Sequence, residues 1–307
     1  MRLHPTGKFD NYPARYRYIE AQPLAAAMGA EICNVDVTKL TDGPAEEIRH
    51  ALFRHKMIFF RRQKLTHGQH EAFSGLFGSF AEDAYTQGVE GHRNVHPLIK
   101  EADDPSEMVF GEGWHTDSPF LPEPPAVTLL RSVQVPPIGG DTTFANSALA
   151  YAMLSDTYRE MIRGLRIRFS LRDVLKAVHD AVEPGESPIG RLASTRDSQQ
   201  LSDDLRRKIR GNAHPLVRTH PVTGEKALYV DSSYAIGIEG MSAEESAPII
   251  RFLSDHLTQP AFSCRLRWEP DMLVIWDNRL CVHQAYNDYQ GCRRELYRTT
   301  VAGETPA

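Results

Sequence analysis

The feature that most constrains this chain is a series of four short apolar segments between residues 262 and 303. They are FSCRLRW (262–268), MLVIWDN (272–278), LCVHQAY (280–286) and YRTTVAG (297–303). Each has the length of a strand, and turn-forming residues separate it from the next. This close spacing predicts an antiparallel sandwich or barrel at the end of the chain.

Before residue 262, segments typical of strands and helices follow one another. Apolar patterns predict strands at 30–37, 57–62, 126–135 and, after a Gly-Gly turn, within 138–147. Amphipathic patterns predict helices at 43–55, 66–78, 147–163 and 242–257. The tetrapeptide PVTG, between HPLVRTH and KALYVD, indicates a hairpin. We therefore expect a mostly β fold with peripheral helices, of the α+β class.

Two of the predicted helices carry start signals. Thr66 is a candidate N-cap, and Ser242 with Glu245 has the spacing of a capping box. Pro248 lies inside the second of these helices and leaves open whether that helix is unbroken.

Length and composition predict a single domain over residues 1–307. A chain of 307 residues, 41% of them hydrophobic, can bury a substantial core without covalent staples. Residues 1–14 are expected to form a loose N-terminal arm. Residues 183–205, rich in Ser, Gly and Pro, are expected to form a mobile loop or lid.

Charge and cysteine content exclude several classes of function. The net charge of −5 and a pI near 6.2 do not suggest a nucleic-acid footprint. The four cysteines form no CxxC pair, so a zinc ribbon is not indicated, and a reducing compartment suits them best. No apolar stretch approaches the ~18 residues of a membrane span, and the first twenty residues do not resemble a signal peptide. We expect a cytoplasmic protein without membrane or nucleic-acid partners.

A possible metal-binding pair lies in GWHTDSPF (113–120). His115 and Asp117 are two residues apart, and in an extended chain such residues point to the same face. With His283, they would form the two-histidine, one-carboxylate set associated with non-haem iron(II) oxygenases. The alternatives are a turn aspartate beside an ordinary histidine, and a core histidine at position 283.

Two arginines follow His283 at short intervals. Arg298 lies in an apolar segment that predicts an interior strand, and buried arginines are rare unless paired with an anion. Arg294 and Arg298 would share a face but lie about 13 Å apart at ~3.3 Å per residue. The spacing favours two separate anionic anchors over one shared clamp, with surface arginines or structural ion pairs as the alternative.

Together these motifs resemble the TauD/TfdA family of 2-oxoglutarate-dependent iron(II) dioxygenases. The resemblance is carried in order by WHTDSPF, GGDTTF, HPLVRTHPVTGEKALYV, DMLVIWDNR, VHQAYNDY and RRELYRTTVAG, and it extends from about residue 16 to 303. It implies a double-stranded β-helix, or jelly roll, and usually a dimer or tetramer. It also implies hydroxylation of a small-molecule substrate, coupled to conversion of 2-oxoglutarate and O₂ to succinate and CO₂.

The resemblance also assigns roles to residues. His115, Asp117 and His283 would be the catalytic iron ligands. Thr142 and Arg294 would hold the distal carboxylate of 2-oxoglutarate, a role that suits a hydroxyl and a guanidinium. Arg298 would lie nearer the mouth of the site and hold an anionic group of the substrate.

The chain departs from the pattern typical of taurine dioxygenases. Where those enzymes have a histidine after the second helix, this chain offers Asp83 and Tyr85, and Gly111 replaces an asparagine before Trp114. We therefore expect taurine not to be the preferred substrate. The substrate pocket is expected to be lined by Asp83, Tyr85, Ser118, Phe120 and Tyr234, although core packing would also explain Phe120 and Tyr234. Aryloxyalkanoates, alkyl sulfates, sulfonates and amino-acid derivatives all remain open.

Two other functions are compatible with the same residues. One is an iron-dependent tailoring oxidase, for example a desaturase in a biosynthetic pathway, which would share the metal site. The other is a non-catalytic jelly-roll binding protein, which the intact set of five metal and 2-oxoglutarate residues argues against.

Overall fold

The computed structural model describes residues 9–83, 88–104, 111–173 and 210–307. Tyr85 and the predicted loop 183–205 lie outside these ranges. Of the predicted arm, the described part is anchored at Asn11, whose side-chain amide donates to the carbonyls of Ala25 and Gly29 at 2.7 and 2.9 Å.

The described ranges contain fifteen strands. They are β1 (Glu20–Pro23), β2 (Ala30–Cys33), β3 (Met57–Phe60), β4 (His96–Lys100), β5 (Val127–Gln134), β6 (Thr142–Asn146), β7 (Arg166–Phe169), β8 (Asn212–Pro215), β9 (Val217–Thr219), β10 (Lys226–Leu228), β11 (Ala235–Ile238), β12 (Ser263–Leu266), β13 (Leu273–Asp277), β14 (Cys281–Ala285) and β15 (Arg294–Val301).

The same ranges contain five α-helices. They are α1 (Asp42–His55), α2 (His67–Ser74), α3 (Ser147–Ala152), α4 (Asp156–Met161) and α5 (Ala243–Leu257). The predicted mostly β fold with peripheral helices is therefore confirmed.

The strands form one large sheet and three smaller ones. The large sheet has the order β1-β2-β3-β13-β5-β15-β4, and all its pairings are antiparallel except that of β2 with β3. The smaller sheets are β12-β6-β14, β11-β7-β8 and the predicted hairpin β9-β10.

The large sheet is buried on both faces, which explains why its strands are continuous apolar runs. In β3, Ile58 and Phe60 pack with helices α1 and α2, whereas Met57 and Phe59 pack on the opposite face against the sheet β12-β6-β14. Strand β13 alternates in the same way. Alternate residues of a strand lie on the same face of its sheet. The polar residues of these strands that face the sheet β12-β6-β14 can therefore be identified in the same way.

The helix starts follow the predicted capping chemistry. Thr66 and Ser242 both form capping boxes, with Gln69 and Glu245 respectively. Helix α5 continues past Pro248 without interruption. A proline can occupy a helix at the cost of one backbone hydrogen bond, and the packing of α5 against α3 and β11 offsets that cost.

Several predicted boundaries were wrong. The strand predicted at 30–37 ends at Cys33, because Asn34 has a φ of 62° and Asp36 caps a short 3₁₀ turn. The helix predicted at 147–163 is two helices, and Ser155 caps the second. The strand predicted at 297–303 begins earlier, at Arg294, because β4 pairs with its first residues.

A buried ionic network fixes the turn between β13 and β14. Asp277 accepts hydrogen bonds from two groups of the Arg279 guanidinium, at 2.8 and 2.6 Å, and one from His220 at 3.0 Å. Burial acts against the charge of Asp277, but Arg279 and then His220 hold the pKa of its carboxyl well below the usual range. The network determines where Asn278 and the following strand β14 lie.

No helix in the described part of the chain is long and apolar enough to cross a membrane.

Candidate active site

The structure brings His115, Asp117 and His283 together in one buried group. One potential ligand atom from each lies within 4.8 Å of the others. Oδ1 of Asp117 is 3.9 Å from Nε2 of His115 and 3.8 Å from Nε2 of His283. Two imidazole nitrogens and one carboxylate oxygen at these separations could converge on a single ion.

Main-chain pairing explains how residues so far apart in sequence meet. The N–H of His115 donates to the carbonyl of His283 at 2.9 Å, and the N–H of His283 donates back at 2.8 Å. This isolated antiparallel bridge adds the segment of His115 to the edge of strand β14. The relative position of the two histidines therefore does not depend on their side chains.

The histidine rings are held in a form that suits metal binding. Nδ1–H of His115 donates to the carbonyl of Gly113 at 2.8 Å, which leaves Nε2 as the nitrogen with a free lone pair. Burial, and after it His115, lower the pKa of His283 to about 3, so this ring is neutral at physiological pH. Trp276 and Phe144 pack against the His283 ring, with centroid distances of 4.7 and 5.8 Å.

A chain of hydrogen bonds orients Asp117. Its Oδ2 accepts from the Thr128 hydroxyl, whose oxygen accepts from the Asn278 amide at 2.9 Å. Trp276 in turn donates to Asn278 at 2.8 Å. Burial acts to raise the pKa of Asp117, but His283 and Arg298 outweigh it and the pKa lies below its usual value. The carboxylate is thus ionised, with Oδ2 occupied and Oδ1 directed at the histidines.

The buried carboxyl of Asp231 supports the backbone at Thr116, which lies between His115 and Asp117. Asp231 accepts from the backbone N–H groups of Ser233 and Tyr234 at 3.0 and 2.7 Å, and more weakly from that of Thr116 at 3.5 Å. The Thr116 hydroxyl donates to the Asn278 carbonyl at 2.9 Å. These contacts fix the backbone around Thr116, so that the side chains of His115 and Asp117 point to the same side of the chain.

Sequence reasoning did not identify Thr128, Asn278, Asp231 or Thr116 as parts of the site. Two of the four lie within motifs that were recognised, Thr116 in GWHTDSPF and Asn278 in DMLVIWDNR, and these motifs were the available signals. Thr128 and Asp231 come from segments whose sequences are typical of ordinary strands, and only the tertiary fold places them beside the motif.

Thr142 lies next to the group of His115, Asp117 and His283, on the strand that pairs with β14. On β6, Phe144 is the register partner of His283 on β14, and Thr142 is two residues from Phe144 on the same face. The Thr142 hydroxyl accepts from the indole N–H of Trp268 at 3.0 Å. It can still donate, as a hydroxyl that binds a carboxylate must.

Arg294 presents a buried guanidinium near Thr142. The guanidinium lies 5.7 Å from the centroid of the Trp268 ring and 5.8 Å from that of Tyr289, and Nη2 donates to the Gly140 carbonyl at 3.2 Å. Within the described residues, its Nε has no hydrogen-bond partner and no carboxylate forms an ion pair with it. Burial lowers the pKa of Arg294. A buried cation of this kind fits an anionic ligand.

The Gly139-Gly140 turn lets the backbone approach this site closely. Both residues have positive φ, 83° and 68°, and a Cβ at Gly139 would lie 2.3 Å from the Asp288 carbonyl oxygen. The N–H of Gly140 donates to the Asp288 carboxylate at 2.7 Å. Glycine is thus required here for both conformation and space.

The predicted substrate residues are placed in two groups, apart from Tyr85, which is not described. Phe120 and Tyr234 pack edge to face at 5.3 Å, and Tyr234 lies 6.1 Å from the His115 ring. Phe120 is fully buried in an apolar cluster. Ser118 is also buried, and its φ of 46° places it in the left-handed region of backbone conformation. Asp83 and Arg298 form the second group, a buried ion pair.

Comparison with known proteins agrees with this geometry. The model of the family "Taurine catabolism dioxygenase TauD, TfdA family" matches residues 20–300. An alpha-ketoglutarate-dependent sulfate ester dioxygenase of Pseudomonas putida is 35% identical, over 94% of this chain and 91% of the relative. An (S)-phenoxypropionate/alpha-ketoglutarate-dioxygenase of Sphingobium herbicidovorans is 28% identical, over 92% and 94%.

Solved structures give the same result. The crystal structure of a taurine dioxygenase from Burkholderia xenovorans superposes with a TM-score of 0.76 at 35% identity, covering 95% of this chain and 91% of that one. The chain therefore belongs to the TauD/TfdA family of alpha-ketoglutarate-dependent dioxygenases.

Proposed function

We propose that this enzyme uses iron(II), 2-oxoglutarate and O₂ to hydroxylate a small anionic organic molecule, and that it releases succinate and CO₂. The observation that carries the proposal is the buried group His115, Asp117 and His283, with its ligand atoms within 4.8 Å of one another. Family membership supports the same reaction class. Softer metals that prefer thiolates do not suit this donor set.

Different residues of the site would have different roles in the reaction. His115, Asp117 and His283 would bind iron(II), and Thr142 with Arg294 would hold the distal carboxylate of 2-oxoglutarate. Iron(II) held there with open coordination positions would activate O₂, which is the oxidant for both the decarboxylation of 2-oxoglutarate and the hydroxylation of the C–H bond. The apolar wall of Phe120 and Tyr234 would exclude water and aim one C–H bond of the substrate.

The identity of the substrate is proposed from the relatives and from Arg298. The relatives act, by their names, on sulfate esters and phenoxypropionate, which are small anions. We infer aryloxyalkanoates, alkyl sulfates or sulfonates as the substrate class, with Arg298 as the anion anchor. Hydroxylation of the carbon beside the ester or ether oxygen would give an unstable product, which collapses to a carbonyl compound and releases sulfate or a phenol.

Three features of the whole protein belong to the same proposal. The packing of the large sheet against β12-β6-β14 supports a double-stranded β-helix core. The four cysteines are free thiols, which supports a cytoplasmic location. We also propose that residues 1–307 form a single domain and that the protein assembles as a dimer or tetramer.

A substrate screen tests the proposed function. Anaerobic addition of iron(II) and 2-oxoglutarate should give a weak visible charge-transfer band, and O₂ with the correct substrate should give one succinate per product. Sulfonates, sulfate esters and aryloxyalkanoates form the panel. Product mass must be measured as well, because uncoupled turnover also yields succinate. A folded protein without the band would favour a non-catalytic role, and a product lighter by two hydrogens would favour a desaturase.

Taurine is expected to be a poor substrate. Asp83 places a buried carboxylate beside Arg298, and Gly111 offers no side chain to bind the taurine amine. We expect sulfite release from taurine to be far slower than product release from the best substrate of the panel. Sulfite formation at a rate equal to that best substrate would contradict this prediction.

A further inference from the structure

Thr128 lies on the face of the large sheet that points towards His283. On β5 it is the register partner of Trp276 on β13, and residues that pair directly across two strands point to the same face. Trp276 packs in the apolar cluster between the large sheet and the sheet β12-β6-β14, which carries His283. The Thr128 hydroxyl donates to Oδ2 of Asp117 in this region. Strand pairing thus brings a hydroxyl to the second oxygen of the Asp117 carboxylate.

The direction of the hydrogen bonds around Thr128 follows from the chemistry of its neighbours. The indole N–H of Trp276 can only donate, so Oδ1 of Asn278 is the amide atom that accepts from it, at 2.8 Å. The amide nitrogen of Asn278 then faces Thr128 and can only donate, at 2.9 Å. The Thr128 oxygen is therefore an acceptor, and its single hydrogen is left for Asp117.

Asn278 is itself held on both sides. Its main-chain N–H donates to the Ala126 carbonyl, and its main-chain carbonyl accepts from the Thr116 hydroxyl, both at 2.9 Å. Asn278 is 3% exposed, so a rotation of its amide would break the bond to Trp276 and leave buried polar groups without partners. The amide therefore keeps the Thr128 hydroxyl turned towards Asp117.

The two oxygens of the Asp117 carboxylate have different surroundings. Oδ1 is 3.9 Å from Nε2 of His115 and 3.8 Å from Nε2 of His283, whereas Oδ2 accepts from Thr128. A rotation that brought both oxygens to the histidines would leave the buried Thr128 hydroxyl without its acceptor, which is costly. This arrangement favours the binding of a cation through Oδ1 alone.

The number of oxygens that Asp117 contributes matters for the proposed reaction. A carboxylate can bind a metal ion through one oxygen or through both, and the second mode fills one more position of the ion. 2-Oxoglutarate chelates through two oxygens, and O₂ needs a further position. A set of two histidines and one carboxylate must therefore leave these positions open.

We propose that Thr128 is a positioning residue that restricts Asp117 to binding iron(II) through Oδ1, and that it thereby keeps open a position for 2-oxoglutarate. This deepens the proposed function and rests on it. Thr128 does not touch the ion and acts through Asp117. Without the hydroxyl, Oδ2 would find its partner in the ion, and the binding of 2-oxoglutarate would then require that Oδ2 be displaced.

Two dissociation constants measured on Thr128→Val test this role, because valine has the shape of threonine without the hydroxyl. Anaerobic calorimetry gives the Kd of iron(II), and titration of the visible band at saturating iron(II) gives the Kd of 2-oxoglutarate. We expect the Kd of 2-oxoglutarate to rise about 10-fold or more, because the displaced Oδ2 is left buried without a donor. The Kd of iron(II) should stay within about 3-fold of the wild-type value, because a contact with the ion replaces the lost hydrogen bond of Oδ2.

Two further variants separate this role from general support of the site. Thr128→Ser keeps the hydroxyl and should keep both Kd values near those of the wild type. Thr299→Val removes a buried hydroxyl from the opposite face of the neighbouring strand β15, where it pairs with Ser74 at 2.7 Å, and should change neither value. If Thr128→Val does not fold, Thr128→Ala, which also lacks the hydroxyl, takes its place.

Several results would overturn the proposal. Iron(II) binding that is weakened by roughly 10–100-fold, with an unchanged Kd of 2-oxoglutarate, would show that Thr128 only supports a metal ligand. Equal weakening of both, or a change in neither, would also contradict the positioning role. Failure of the proposed function gives a different result, because the wild-type protein itself would then show no band and the positioning role would fall with it.

Discussion

Replacement of His115 by alanine is expected to abolish both the iron(II)–2-oxoglutarate band and succinate formation. The variant loses one of three donor atoms from a group with no spare carboxylate or imidazole among the described residues. Changes that only disturb the neighbours of metal ligands cost roughly 10–100-fold in affinity or activity. Loss of a ligand itself should exceed that range.

The fold of the site should survive this change, which makes the result interpretable. The two bonds that join residues 115 and 283 are between main-chain atoms and do not need the imidazole. His256→Ala is a suitable control, because this half-buried histidine donates to the Ala150 carbonyl at 2.9 Å, away from the site. A His115→Ala protein that keeps the band at wild-type intensity would show that the ion is not bound here.

Replacement of Arg294 by leucine is expected to raise the KM for 2-oxoglutarate by about 100-fold, since hydrogen bonds to charged groups contribute about 1.5–3 kcal/mol each. The reason is that Arg294 is the cation that lies against both Trp268 and Tyr289 and donates to Gly140. Lys100 also lies against Tyr289, at 5.4 Å, but its ammonium donates to Asn287. The measurement is the KM from succinate formation, together with titration of the visible band. The affinity for iron(II) in the absence of 2-oxoglutarate should be unchanged.

The neighbouring residue provides a matched control. Arg293 is on the opposite side of the chain, where it pairs with Glu101 and Glu295 near the surface. Arg293→Leu removes the same charge one position away and should leave the KM near its wild-type value. If the two variants raised the KM equally, a general electrostatic effect would explain the result, and Arg294 would not be the specific anchor.

The meeting of His115, Asp117 and His283 could be predicted from the sequence because the pattern is local and unusual. His115 and Asp117 share one short motif, and His283 follows a recognisable strand pair. The placement of Arg294 and Arg298 on one strand was also predictable, since strand alternation needs no tertiary information. The N-cap at Thr66 and the capping box of Ser242 with Glu245 are similarly local.

Contacts between distant strands could not be predicted in the same way. Thr128 and Asp231 carry no special sequence signal. They contact residues 115–117 only because the fold places β5 and the segment after β10 beside those residues. The pairing of Asp83 with Arg298 depends on how residues 79–83 run beside β15. Strand ends were missed where one residue, such as Asn34, adopts a left-handed conformation.

The backbone bridge between residues 115 and 283 has a consequence for the energetics of the whole molecule. Its two residues are 283 − 115 = 168 positions apart in the sequence, so the ion can bind tightly only to a chain whose fold has brought these distant segments together. Binding to the native state alone stabilises a protein by about 2.7 kcal/mol when the free ligand is at 100 times its Kd. Cellular iron supply would therefore set not only the rate of this enzyme but also its lifetime against unfolding and proteolysis.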